Sequence, residues 1–137
     1  MFRQLDEKTL VGGQISPADM DEVKRHGVTM IVNNRPDGEE FGQPRAMEIE
    51  AAAAEAGIDY RFIPVAGGIS EAGIEKMAAA LGEARGPVLA FCRSGTRSTY
   101  LWALARARMG DGSDDLVEQA AAAGYDLAPI KGFLDRG

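Results

Sequence analysis

Cysteine and histidine are nearly missing from this chain of 137 residues: it carries one of each, Cys92 and His26. One cysteine cannot close an intramolecular disulfide, which excludes a disulfide-stapled scaffold and suits a reducing compartment. The common His/Cys zinc cages cannot be built from one residue of each type, and nothing in the sequence implies a metal or an organic cofactor. Long apolar runs are also lacking. No stretch approaches the ~18 residues of a membrane span, and Met1-Phe2-Arg3-Gln4-Leu5-Asp6 lacks the basic-then-apolar order of a signal peptide, so a cytoplasmic chain is expected. Basic charge is outnumbered, with 15 Lys and Arg against 21 Asp and Glu for a net charge of −6. Such a field repels nucleic acid and anionic membranes, and neither is expected as a partner.

What remains is ordinary globular material, 45% hydrophobic and 26% charged. The length is that of one domain, and residues 1–137 are read as a single unit. The N-terminal stretch through Leu10-Val11-Gly12-Gly13 reads as a short strand. Ser16-Pro17 supplies a cap and a first-turn proline for a helix that Gly27 stops after His26. Val28–Val32 is β-branched and apolar enough for a buried strand, and it runs into the turn-rich Asn33-Asn34-Arg35-Pro36-Asp37-Gly38. A helix is expected over 44–56, a strand over 60–63, a helix from Ser70 to Ala84 and a buried strand over 88–91. Beyond the tight loop Cys92–Arg97, helical spacing returns from Ser98 to Met109, with Leu101, Trp102, Leu104 and Ala105 available for the core. Ser113 is read as the cap of a helix through Ala123, and a short helix follows near 129–134.

Strands alternating with helices at these lengths imply an α/β fold: a mostly parallel central sheet with helices on both faces. Sites in such sheets form beyond the carboxyl ends of the strands. That rule gathers Asn33–Gly42, Val65–Ser70 and Cys92–Arg97 on one edge. Between a buried strand and a helix, Cys92 faces the unpaired N–H groups and the positive end of the helix dipole, both of which favour thiolate over thiol. The same N–H groups form a nest for an oxyanion: Arg93, Ser94, Gly95, Thr96, Arg97 and Ser98 are the candidate anion-binding residues. Gly95 permits close backbone approach, Arg97 can close the cradle with a bidentate fork, and the Ser98 hydroxyl can cap an N–H or reach the sulfur.

The loop C-R-S-G-T-R-S, the preceding P-V-L-A-F, the upstream G-V-T-M-I-V-N-N-R-P-D-G-E-E, the G-Q-I-S opening, F-I-P-V and the A-A-G-Y-D-L tail together resemble the beta-lactamase-hydrolase-like phosphatase-like family. The resemblance covers nearly the whole chain. It implies a cysteine-phosphatase fold of dual-specificity-like architecture, with Cys92 as nucleophile and Arg97 as the anion-binding arginine. Two features depart from the wider phosphatase pattern. Those loops place five residues between Cys and Arg, whereas Cys92 and Arg97 enclose four, and Phe91 stands where phosphatases usually carry His. The shorter spacing is similar to rhodanese-type sulfurtransferase loops, whose cysteine carries a persulfide.

Phosphate ester hydrolysis needs a proton for the leaving oxygen, and Val65-Ala66-Gly67-Gly68-Ile69-Ser70 holds no carboxylate. Asp37 is the candidate general acid, with Glu39 and Glu40 as weaker stand-ins. Sulfur transfer makes no such demand. The leading expectation is therefore a sulfurtransferase working through a Cys92 persulfide on a small anionic sulfane-sulfur donor, with a persulfide-metabolising metallo-hydrolase as a fitting partner. The alternative is a phosphatase forming phosphocysteine at Cys92 with Asp37 as acid, and a third reading is an anion-binding or redox-sensing module. His26 reads as a surface partner of its own helix end, and Arg35 as either a salt-bridge or a substrate contact.

Overall fold

The computed structural model describes residues 2–136; Met1 of the N-terminal stretch and Gly137 of the single-domain span lie outside the described residues. The strands are β1 (Arg3–Asp6), β2 (Thr9–Gly12), β3 (Met30–Asn33), β4 (Asp59–Phe62) and β5 (Val88–Phe91). The helices are α1 (Met20–Arg25, entered through a 3-10 turn at Pro17–Asp19), α2 (Ala46–Glu55), α3 (Glu71–Glu83), α4 (Thr96–Arg108), α5 (Ser113–Ala122) and α6 (Lys131–Arg136, after a 3-10 turn at Ala128–Ile130). The strands form one sheet in the order β1-β2-β5-β3-β4. All neighbours run parallel except the β1–β2 hairpin.

The alternation of side chains along the central strands builds two cores. Met30 and Val32 of β3 and Val88 and Ala90 of β5 face α3 and α4, where Met77, Leu101 and Trp102 are buried. Ile31, Leu89 and Phe91 point the other way, onto Val23 of α1 and Ile49 and Ala53 of α2. Helices therefore cover both faces, as the β/α alternation implies. Phe91 has no accessible surface. Burying a side chain of that size contributes about 1.5–3 kcal/mol, so at this position packing is the role served.

Three elements differ from the sequence reading. The single N-terminal strand is a hairpin: Asp6 Oδ1 accepts the Lys8 N–H at 2.9 Å and folds the charged Asp6-Glu7-Lys8 stretch into the turn. Helix α4 begins at Thr96 rather than Ser98, because Gly95, at φ +94°, turns the chain straight into the helix. The Gly95 carbonyl then accepts both the N–H and the hydroxyl of Thr99, at 2.9 and 2.8 Å. Arg97 consequently lies in the first turn of α4. Ser113 is the first residue of α5 rather than its cap, and its hydroxyl donates to Asp135 of α6 at 2.7 Å. Among the described residues, no helix is long and apolar enough to cross a membrane.

Candidate active site

The three loops that the strand ends were expected to gather do meet beyond β5, β3 and β4. Cys92 follows β5 directly, its N–H donating to Gly12 O at 3.3 Å. The chain then curls back, and the Gly95 N–H donates to Cys92 Sγ at 3.1 Å. Cys92 is 1% exposed. Burial pushes the thiol's pKa up, but the backbone N–H groups of Ser98, Ser94 and Gly95, together with the Ser98 hydroxyl, outweigh it and hold Cys92 below the ordinary thiol value. The Ser98 hydroxyl has a single hydrogen, which it gives to Asn34 Oδ1 at 2.8 Å. The backbone donors are therefore what chiefly favours the thiolate form of Cys92.

Close backbone approach is built in at Gly13 as well as Gly95. A Cβ at Gly13 would stand 2.8 Å from the Arg93 carbonyl, so the turn after β2 packs against the loop without room for a side chain. Ser94 and Thr96 pair their hydroxyls at 3.1 Å on the outer side of the loop. Arg93 is exposed and pairs with Glu40 at 3.2 Å.

Arg97 is held from two sides. Its Nη1 donates to Val65 O at 3.0 Å, joining the Val65–Ser70 loop to α4. Its two terminal nitrogens also fork onto Glu39, at 2.7 and 2.8 Å. Arg35, 3% exposed, donates from Nε to Glu39 at 3.0 Å, from Nη2 to Glu40 at 2.8 Å and from Nη1 to Gln14 at 3.0 Å. Of its two sequence-based readings, the salt bridge is what the structure contains. The hydrogen bond from Arg97, backed by Arg35, brings the Glu39 pKa down from 4.5 to about 2, against an opposing contribution from burial. Glu39 is thus an ionised clamp on the arginine and no proton donor.

Asp37, expected as the acid, has a different task. Its Oδ1 accepts the N–H of Ala46, the first residue of α2, at 2.7 Å, and the residue is exposed at the turn. That N–H is one of those a helix start leaves without an internal partner, and Asp37 satisfies it as a cap. His26 is taken up by Glu22 at 3.3 Å and by an edge-on contact with the Phe2 ring. Among the described residues, no group of three or more His, Cys, Asp or Glu is arranged to hold a metal ion.

Sequence reasoning missed Asn34, Gln14 and Tyr125. Asn34 is fully buried and ties the three loops together. Its N–H donates to Phe91 O at 2.8 Å, its carbonyl accepts from Val65 N at 2.9 Å, its Nδ2 donates to Ile63 O at 2.9 Å, and its Oδ1 takes the Ser98 hydroxyl. In sequence it is one half of an Asn-Asn pair in a turn, with no local sign of those partners. Tyr125 reaches the loop from beyond α5, its hydroxyl donating to Ser94 O at 3.0 Å.

A mostly parallel sheet leading into a cysteine at the mouth of a helix, with N–H groups on the sulfur and an arginine in the helix's first turn, is the framework of a phosphatase-like fold. The sequence model of the beta-lactamase hydrolase-like protein, phosphatase-like domain, matches residues 1–109, and the chain belongs to that family. It is 38% identical over 135 residues to the beta-lactamase hydrolase-like protein of Agrobacterium fabrum, covering 97% of this chain and 31% of the relative. The chain thus spans about a third of the length of the curated relatives it matches. A candidate phosphatase from Neisseria meningitidis superposes with a TM-score of 0.84 at 34% identity, covering 98% of this chain and 96% of that one. The core catalytic domain of the PP-IP phosphatase SIW14 from S. cerevisiae shares the fold, at a TM-score of 0.63 and 18% identity over 98% of this chain and 91% of its own.

Proposed function

We propose that the domain is a hydrolase of the cysteine-phosphatase type. The Cys92 thiolate attacks phosphorus, the S–P bond forms as the bond to the leaving oxygen breaks, and water then cleaves the phosphocysteine to return the thiolate and inorganic phosphate. The observation that carries this reading is the convergence of backbone N–H groups on Cys92 Sγ with Arg97 in the first turn of the following helix. Family membership and the likeness to the Neisseria protein support it. The leading sequence expectation, sulfur transfer, gives way to the alternative on those grounds.

The acid side of the site narrows the substrates. Asp37 is committed to α2, Glu39 to Arg97, and the Val65–Ser70 loop carries no carboxylate. The reading therefore favours phosphoryl compounds whose leaving group departs as an anion, such as aryl phosphates or anhydrides. Hydrolysis measured across aryl phosphates of graded leaving-group acidity should fall steeply as the leaving group becomes more basic, and Cys92→Ser should abolish it. No Cys92-dependent release of phosphate from any member of the series would reject the proposal.

One observation favours a second reading. Only four residues separate Cys92 from Arg97, and when a thiolate attacks the outer sulfur of thiosulfate the bond to sulfite breaks and sulfite departs as an anion without protonation. In that reading Cys92 takes the sulfur as a persulfide, with a persulfide-metabolising metallo-hydrolase as its fitting partner. Intact mass after exposure to thiosulfate decides it: one added sulfur, removed by cyanide and absent in Cys92→Ser, supports transfer, and an unchanged mass rejects it.

A further inference from the structure

One peptide group faces both Cys92 and the C-terminal part of the chain. The Ser94–Gly95 amide points its N–H at Cys92 Sγ, at 3.1 Å, and its carbonyl at the Tyr125 hydroxyl, at 3.0 Å. In a trans peptide these two groups project in opposite directions from one rigid plane, so a bond that fixes the carbonyl also aims the N–H. Accepting a hydrogen bond at the oxygen further polarises the amide and makes its N–H a stronger donor. The phenol is packed against the same spot: a Cβ at Gly95 would run into the Tyr125 hydroxyl and lie 3.0 Å from Cζ. Tyr125 is held there in turn by the preceding turn, where Arg3 Nη1 donates to Ala123 O at 3.0 Å and Tyr125 N donates to Ala120 O at 2.8 Å.

We infer that Tyr125 is a positioning residue for the nucleophile, acting through the Ser94–Gly95 peptide to hold an N–H on Cys92 Sγ. It lies beyond the residues matched by the family model, which end at 109, so part of the nucleophile's environment comes from the segment after α4. The other charged or titratable groups near the sulfur are Arg97 of α4 and Arg93 of the loop, with Glu39 behind Arg97 and Arg3 behind Tyr125. The inference rests on Cys92 being the nucleophile, but not on which substrate it attacks.

The test is the pH dependence of Cys92 alkylation by iodoacetamide, a neutral reagent that needs no substrate chemistry. In Tyr125→Phe the ring stays and only the hydroxyl is lost. Its alkylation profile should shift to higher pH by about half a unit. Tyr60→Phe serves as control, since Tyr60 bonds to Asn33 and Ala46 instead and its loss should leave the profile in place. A ring-fluorinated tyrosine at 125, a stronger donor of the same shape, should move the profile to lower pH, and it keeps the test decisive if the phenylalanine variant does not fold. Profiles that superpose on the unmodified protein would overturn the inference, even if Tyr125→Phe melts at a lower temperature. Substrate turnover does not enter this readout, so it fails or succeeds separately from the hydrolase proposal.

Discussion

Arg97 has both forks of its guanidinium on Glu39, and that pairing sets a pH dependence. The Glu39 pKa is depressed, so the stability it contributes is fully present above its ordinary 4.5 and is lost as the pH falls through about 2. Glu39→Gln removes that contribution. The melting temperature of the variant should lie below that of the unmodified protein at neutral pH, by an amount equivalent to about 1 kcal/mol or less for a pair this accessible. The gap should narrow below pH 4.5 and close near pH 2; a gap that persists unchanged to pH 2 would show that the ion pair is not its source. Asp37→Ala tests a neighbouring residue with a different role. Losing the cap of α2 should cost about 1 kcal/mol in urea unfolding while leaving the rate of Cys92 alkylation unchanged. Cys92, Gly95 and Arg97 were legible in the sequence because their relationship is local, one strand end leading into one helix start. Glu39 was legible only as a carboxylate near the right edge, since its partner Arg97 is 58 residues away and nothing local marks the pairing.

At the scale of elements, β5 was readable to its ends, because four apolar residues between Gly86-Pro87 and a turn leave little choice. The start of α4 was not readable, because a glycine in left-handed conformation can equally end a loop or open a helix. Placement at φ +94° against Tyr125 makes Gly95→Ala a severe change. It should lower the melting temperature and remove Cys92-dependent turnover together, by straining the backbone and displacing the N–H that faces the sulfur. The hairpin was missed for a related reason: its turn is charged and lacks the Asn-Gly or Asp-Gly signal. Asp6 links that turn to the core, since its Oδ2 accepts the indole N–H of the fully buried Trp102 at 2.9 Å. Asp6→Ala leaves that N–H without a partner and should cost about 1–3 kcal/mol in denaturant unfolding, whereas Asp6→Asn, which keeps an acceptor, should cost less. Trp102 is the only tryptophan, so its fluorescence follows the transition directly.

For the whole molecule, charge is the property that reaches substrate first. Around the cradle, Arg35, Arg93 and Arg97 pair with Glu39 and Glu40, which leaves one positive charge before the Cys92 sulfur is counted. That single excess charge stands against the net −6 of the chain. A dianionic substrate therefore approaches against a repulsive field. Its kcat/KM should rise as potassium chloride shortens the Debye length from about 30 Å to about 8 Å. Alkylation by neutral iodoacetamide should show no such rise. A fall in kcat/KM over that range would mean that the arginines dominate the field at the mouth. The sheet's overall class was legible from the β/α alternation, but its order was not, because strand order depends on which crossovers pass over β5.

Both borders of that sheet are strands of four residues, Arg3–Asp6 and Asp59–Phe62, and both carry opposite charges along their length. Short, charged border strands resist the backbone pairing by which one sheet extends into another. This sheet therefore offers no receptive border for another strand to continue, and contact with any further polypeptide falls to its helices and loops.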